Sequence, residues 1–401
     1  MIVPSLSQNE IDLMRDQTPG VNRCIHFNNA GTGLAATPVL DAVKHHLDLE
    51  ATLGGYEAAA AAHSETKAFY TSIAALIGSA PNEIAFIENA TRAWDMAFYG
   101  IDFRQGDRVI TGRAEYVSNY VALLQMKQRK GIEIDLIEDD ETGQIDLKAL
   151  EAAITPKTRL IALTHIPTFS GLINPAEDVG EIAARHKLLY LLDACQSAGQ
   201  IPLNIREIGC HMLSGTGRKY LRGPRGTGFL YVSDDVLDQV EPPFVDLQAT
   251  EWLDESTYRL APHAQRFENW ERYVAGQVGL GVATSYAIGF GMDRIGARIC
   301  ALGAQLRSEL SAVPGISLHD KGARKGGIVT FAVDGETPAA TKARLADHQI
   351  NVSVSQASSA RIDLPMRGLD AVVRASMHAF NTESELELMV KLLADKRPSE
   401  S

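Results

Sequence analysis

The amino-acid sequence predicts an α/β protein whose main body is a mostly parallel sheet covered by helices on both faces, followed by a smaller α+β unit. Three observations carry this reading. From residue 82 to residue 192, short apolar runs alternate with segments of helical period, the order from which parallel sheets are built. Several of the runs, Leu160 to Thr164 and Leu188 to Leu192 among them, are nearly continuously apolar, as strands buried on both faces are. Near residues 285–293 the rhythm changes to long helices and well-separated strands, and a chain of 401 residues exceeds the roughly 250–300 at which single cores stop growing. The expected division is a large unit over 20–285 and a small one over 286–401, joined by residues 1–19.

In order along the chain, Ser7 to Arg15 reads as a helix, with Ser7 as N-cap and Glu10 completing a capping box. Ile25-His26-Phe27 runs as a strand into Asn28-Asn29-Ala30-Gly31-Thr32-Gly33, a turn with exposed backbone donors. Pro38 to Leu49 is a helix with proline in its first turn. Ser64 to Ile77 is a second, with Ser64 as its expected N-cap and Glu65 in its first turn. Strands are expected at 82–87, 108–111, 132–137, 160–164 and 188–192. The helices between them run from the Asn89 region to Tyr99, over 118–128, over 147–154 opened by Asp146, and over 176–186. Phe229 to Val232 is one more apolar run, and the pattern is irregular from there to about Arg266. Helices at 274–288 and 293–310 lead to strands at 316–318, 327–333, 350–354 and 372–376, with helices at 339–348 and 383–396.

Composition narrows the function classes. A formal net charge of -12 argues against a general nucleic-acid binder, which needs a basic face. No segment approaches the ~18 uninterrupted apolar residues of a membrane span, and the first residues lack the basic and apolar regions of a secretory signal. Cys24, Cys195, Cys210 and Cys300 are scattered without metal-ligand spacing, so the expectation is reduced thiols, no metal ion and a cytoplasmic location.

The chemistry concentrates between residues 188 and 232. The apolar run ending at Leu192 is followed by Asp193, and a carboxylate at the carboxyl edge of a buried strand lies where α/β proteins bind ligands. A small-residue turn, Ser214-Gly215-Thr216-Gly217, then delivers Arg218 and Lys219, and glycines let a lysine lie close against a ligand. One acid for a pyridinium nitrogen and one lysine for an aldehyde is the pair that pyridoxal phosphate requires. Upstream, Glu88-Asn89-Ala90-Thr91 joins a strand to a helix start, which serves equally as a plain N-cap or as an anion site.

These pieces, with Glu115-Tyr116-Val117-Ser118-Asn119, Thr164-His165-Ile166-Pro167-Thr168, Asp193-Ala194-Cys195-Gln196-Ser197, Arg266-Phe267-Glu268 and Arg374-Ala375-Ser376-Met377-His378, resemble a known family in its own order. The chain is similar over nearly its whole length to the class V aminotransferases, fold-type I pyridoxal-phosphate enzymes that include cysteine desulfurases, isopenicillin N epimerase-like proteins and C–S lyases. The resemblance implies a mainly parallel seven-stranded-type sheet in a large pyridoxal 5'-phosphate-binding domain, a small-molecule amino-acid substrate and a homodimer. Residue by residue, it implies that Lys219 holds the cofactor and later moves a proton, and that Asp193 pairs with the ring nitrogen. It places Gln196 at the ring oxygen with His165 near it, and Tyr116 on the ring face. Ala90, Thr91, Thr216 and Arg218 match positions around the phosphate. Asn29 lies where the N-terminal segment reaches the substrate, and Arg374 matches the arginine that holds the substrate carboxylate.

The departures matter as much. Desulfurases carry a nucleophilic cysteine in the loop matching Ser355 to Arg361, and no cysteine follows Cys300 here. Glu268-Asn269-Trp270-Glu271 replaces a Gly-Thr pair, and Arg218 stands in place of a histidine. The stretch Gly217 to Gly226 is most similar to the C–S lyases of ergothioneine biosynthesis and their epimerase-like relatives. The expected activity is therefore β-elimination from an S-substituted cysteine, giving pyruvate and ammonia. Transamination or epimerisation is the alternative within the family, and a nucleotide-binding dehydrogenase or a non-catalytic relative the alternative outside it. Tyr56, His63, Trp270, Arg272 and Arg361 are candidate pocket residues that serve equally as packing or surface residues.

Overall fold

The computed structural model describes residues 5–395. Its strands are β1 (Ile25–His26), β2 (Ile84–Ile87), β3 (Arg108–Gly112), β4 (Glu133–Ile137), β5 (Thr158–Thr164), β6 (Leu189–Asp193), β7 (Met212–Thr216), β8 (Gly228–Val232), β9 (Thr250–Trp252), β10 (Tyr258–Leu260), β11 (Ile316–Leu318), β12 (Ile328–Val333), β13 (Ile350–Asn351), β14 (Ser353–Gln356) and β15 (Ala371–Ser376). The central sheet has seven strands in the order β2-β8-β7-β6-β5-β3-β4. β8 is antiparallel to both of its neighbours, and the other pairings are parallel.

Why the inner strands read as unbroken apolar runs is visible in their side chains. Ile161, Leu163, Tyr190, Leu192 and Leu213 enter one apolar layer with helices His63–Ile77 and Ala176–His186. Leu160, Ala162, Leu191 and Met212 enter the opposite layer with helices Ala90–Phe98 and Val117–Lys130. Successive side chains alternate faces, and both faces are covered, so the middle of each run is apolar. Polar residues enter at the carboxyl ends, and the 214–217 stretch that reads as a small-residue turn is for the most part the buried end of β7.

A second sheet, β11-β12-β15-β14, is antiparallel throughout. Helices Met292–Ser311 and Glu383–Ala394 bury Leu302, Leu306, Leu386 and Met389 against it. The N-terminal segment runs alongside: β1 pairs with β13, Arg15 Nη1 lies 2.8 Å from Glu385 Oε1, and Arg294 Nη1 donates to Glu10 Oε1 at 2.8 Å. Contact continues past residue 19 to the bridge between Asn28 and Ser376.

Ser7 caps its helix in a capping box with Glu10, and Asp146 accepts from Lys148 and Ala149 amides at its own helix start. Ser64 is not an N-cap. The preceding helix Gly55–Ala61 runs into the next through Ala62, so Ser64 lies inside the first turn and its hydroxyl donates to Glu65 at 2.6 Å. The single strand expected at 350–354 is two, because β13 pairs with β1 whereas β14 pairs with β15. The irregular stretch contains the hairpin β9–β10, whose Trp252 is 80% exposed. The closing helix ends at Ala394, and residue 396 lies outside the described residues.

Glu268 is buried beneath β2, where its Oε1 accepts from the Phe86 amide at 2.8 Å and the Tyr70 hydroxyl at 2.8 Å. Burial raises its carboxyl to about 7. An acid that binds its proton more tightly folded than unfolded costs stability as pH rises from the ordinary carboxylate range to about 7. Glu268→Gln keeps the acceptor without the charge. Its unfolding free energy relative to wild type should rise between pH 5 and pH 8, by about 2 kcal/mol. Urea denaturation at the two pH values measures this, and an unchanged difference refutes it.

Candidate active site

The parallel strands β3, β5, β6 and β7 deliver their carboxyl ends to one edge of the sheet, as the helix start after β2 does. Ligands bind at this edge in open α/β sheets because the loops there diverge to leave a crevice. A cavity of about 220 Å³ lies in the crevice. Ala90, Thr91, Tyr116, Asp193, Thr216, Arg218 and Lys219 are among the residues that line it. Seven of the expected site residues, far apart in the chain, therefore share one space.

Asp193 closes β6 and is buried. Its Oδ1 accepts from the Cys195 amide at 2.8 Å and its Oδ2 from Asn119 Nδ2 at 2.8 Å. Burial raises the carboxyl, and these two bonds and the charge of Lys219 oppose the rise. Cys195 also lines the cavity, and burial pushes its thiol up, away from the thiolate form a nucleophile needs.

Asn89, which also lines the cavity, is the N-cap of helix Ala90–Phe98, accepting from the Arg92 amide at 3.0 Å. Cap and anion site are thus compatible. The amides that start a helix have no intrahelical partner and point outward, and here they border the cavity.

The loop carrying Lys219 is held by the N-terminal segment. The Gly33 amide donates to the Arg218 carbonyl at 2.8 Å, Arg218 Nη1 donates to the Gly31 carbonyl, and Arg222 Nε donates to the Leu34 carbonyl at 2.7 Å. A Cβ on Gly33 would lie 2.5 Å from the Lys219 carbonyl oxygen, a contact only glycine avoids. Arg218 borders the cavity, yet one of its terminal nitrogens is committed to that segment.

The remaining expected residues, Arg374, Gln196, His165 and Asn29, are not among those that line the cavity. Buried Arg374 on β15 donates through Nη1 to Thr168 Oγ1 at 2.6 Å and through Nη2 to Asn28 Oδ1 at 3.0 Å, and its Nε has no partner. Burial lowers its guanidinium to about 10. Gln196 Nε2 donates to the same Thr168 Oγ1 at 3.0 Å and to the Ala30 carbonyl at 3.0 Å, and its buried Oε1 has no partner. His165 is buried, held neutral by burial that lowers it to about 3, and its Nδ1 is unpartnered. Asn29 is fully buried, its Nδ2 donating to the His26 and Ser376 carbonyls at 3.1 and 2.9 Å. Its neighbour Asn28, which the sequence did not single out, is the one that touches Arg374. Asn119 was likewise missed as a site residue; its spacing of four from Glu115 at a helix start was the available signal.

The donor set fits pyridoxal phosphate. A buried acid offers a partner to a cationic ring nitrogen, a lysine borders the same space, and a helix start offers amides to an anion. The orphaned Gln196 Oε1 is a buried polar atom of the kind that normally has a partner. The aminotransferase class-V family model matches residues 25–389. The chain belongs to the class-V aminotransferase family. It is a fold-type I pyridoxal-phosphate-dependent enzyme. A probable cysteine desulfurase of Methanothermobacter thermautotrophicus is 28% identical, over 97% of this chain and 96% of the relative. The apo structure of the cysteine desulfurase from Thermococcus onnurineus NA1 superposes with a TM-score of 0.89 at 26% identity, covering 98% of each chain. The cystine C–S lyase C-DES, solved with its product cysteine persulfide, shares the fold with a TM-score of 0.86 at 24% identity, over 95% of this chain and 100% of that one.

Because the class-V enzyme's Lys219 loop rests on Gly33, Gly33→Ala should displace it. The expected result is at least about tenfold weaker cofactor uptake, with unfolding free energy lower by ~1–3 kcal/mol. Titration of the apoprotein with pyridoxal phosphate, beside a denaturation curve, checks both, and wild-type uptake would contradict the steric argument.

Proposed function

We propose that the chain is a C–S lyase that eliminates the β-substituent of an S-substituted cysteine. The observation that carries this is the thiol-free loop from Ser355 to Arg361, with no cysteine anywhere after Cys300. A desulfurase needs a thiolate to accept sulfur as a persulfide, and Cys195, within the cavity, is held toward its thiol form. The fold shared with C-DES is consistent with this reading and does not by itself decide the reaction.

In this reading the helix start at Ala90 and Thr91, together with Thr216 and Arg218, would hold the cofactor phosphate, Tyr116 would stack on its ring, and Gln196, with His165 near it, would contact the ring oxygen. Bound pyridoxal phosphate supplies an aldehyde carbon for an amine and a protonated ring that accepts electron density. Asp193 stabilises that protonated ring by charge pairing. Arg374 receives the substrate α-carboxylate; Thr168 and Asn28 hold its terminal nitrogens and leave Nε available. Asn29 braces the N-terminal segment next to that contact. Lys219 Nζ takes the Cα proton, the electron pair forms the Cα–Cβ double bond, and the Cβ–S bond breaks with sulfur leaving as the anion. The 2-aminoacrylate so released hydrolyses to pyruvate and ammonia.

We further propose a cytoplasmic homodimer divided near residues 285–286. Four free cysteines support the location, and exposed Trp252 and Tyr56, at 80% and 76%, support a protein partner. A monomeric mass in solution removes the dimer.

Supplying S-substituted cysteines should yield pyruvate, and Lys219→Ala should abolish it. Transfer of the amino group to a 2-oxo acid without pyruvate sinks the lyase reading, and inversion at Cα alone points to an epimerase. Arg374→Lys, which loses the planar fork, should raise KM about tenfold or more with a smaller effect on kcat.

A further inference from the structure

Behind Asp193 lies a second buried acid for which the proposed reaction has no use. Glu115 follows β3 and is buried. Its Oε1 accepts from Asn119 Nδ2 at 2.9 Å, from the Tyr116 amide at 2.8 Å and from the Thr164 hydroxyl, and its Oε2 accepts from the Thr111 hydroxyl at 3.0 Å. Asn119 Nδ2 thus donates to two carboxylates at once, Glu115 and Asp193. The amide nitrogen cannot be exchanged for its carbonyl oxygen, which would meet the Asp193 carboxylate and a Glu115 oxygen that already accepts from Tyr116 and Thr164. The bridge therefore has one orientation, and it points the Asp193 carboxylate from behind.

The same carboxylate also holds the backbone of Tyr116. One side chain thereby anchors the cavity wall that carries the aromatic ring and, through Asn119, the acid at the far edge. We propose that Glu115, acting through Asn119, is a positioning residue for Asp193 that sets the carboxylate's direction and adds a second negative charge behind it. This rests on the reading that the cofactor ring nitrogen meets Asp193. Burial pushes the Glu115 carboxyl up to about 7, the charge of Asp193 acting in the same direction, so its charge is present above that pH; the cation that acts on Asp193 is Lys219.

Two variants separate geometry from charge. Asn119→Ala removes the bridge. Glu115→Gln keeps an oxygen for Asn119 and Tyr116 and removes the charge. Apoproteins are titrated with pyridoxal phosphate, and the visible band of each holoprotein is followed against pH. Asn119→Ala should raise the cofactor dissociation constant about tenfold, the effect of one lost bond to a buried charge. Glu115→Gln should move the midpoint of the band down by about half a unit, since removing a nearby negative charge disfavours the protonated form. It should also lower kcat more than it raises KM. A purely structural role would lower the melting temperature and leave the midpoint in place. Should Asn119→Ala not fold, Asn119→Ser is titrated in its stead. Wild-type dissociation constants and midpoints in folded variants overturn the proposal. A wild-type protein with no visible band, or a band that survives Lys219→Ala, overturns the site reading itself and is distinguishable on that ground.

Discussion

A carboxylate buried at the end of an apolar strand is stable only if donors surround it, and the site depends on how Asp193 meets that condition. β6 is apolar to its last residue because it is buried on both faces, and it opens at the edge where Asp193 begins the polar layer. The Cys195 amide and Asn119 take the two carboxylate oxygens. Helix Val117–Lys130 is held in place to bring Asn119 there, and Glu115 secures the start of that helix. The acid is preorganised by protein groups before any ligand arrives, so its orientation need not be established during binding.

The second organising contact is the N-terminal segment. It pairs with β13 at the small sheet, meets Ser376 and Arg374 through Asn28 and Asn29, and then supports the Lys219 loop through Gly31, Gly33 and Leu34. The lysine follows a strand of the central sheet and the arginine lies on β15 of the small one, and this segment contacts the loop of the first and the side chain of the second. Tying both side chains to one strap reduces the geometric error between them.

Much of this was legible in the chain. Alternating apolar runs and helical periods located β3 to β6 and β8, whose runs are long and apolar, but not β7, whose Ser214, Gly215 and Thr216 read locally as a turn. Asp193, Lys219, Thr91 and Tyr116 were found because strand ends and glycine turns mark where side chains leave the core. What escaped were partners whose role exists only across the fold: Asn28 and Thr168 on Arg374, Asn119 on Asp193, and Gly33 against the Lys219 carbonyl. Ser64 misled because its cap signal is local, and the abutting helix at Gly55–Ala61 overrode it.

The sequence by itself determined the fold class and most of the order of the elements, and it marked Asp193 and Lys219, since burial periodicity and the position of charges at strand ends are properties of the chain. It also determined the absence of a thiol from the loop after β14. The tertiary structure decided which of these residues share one cavity and how each is aimed. Hydrogen-bond direction depends on neighbours brought together from distant parts of the chain, and no local pattern encodes an amide placed between two carboxylates.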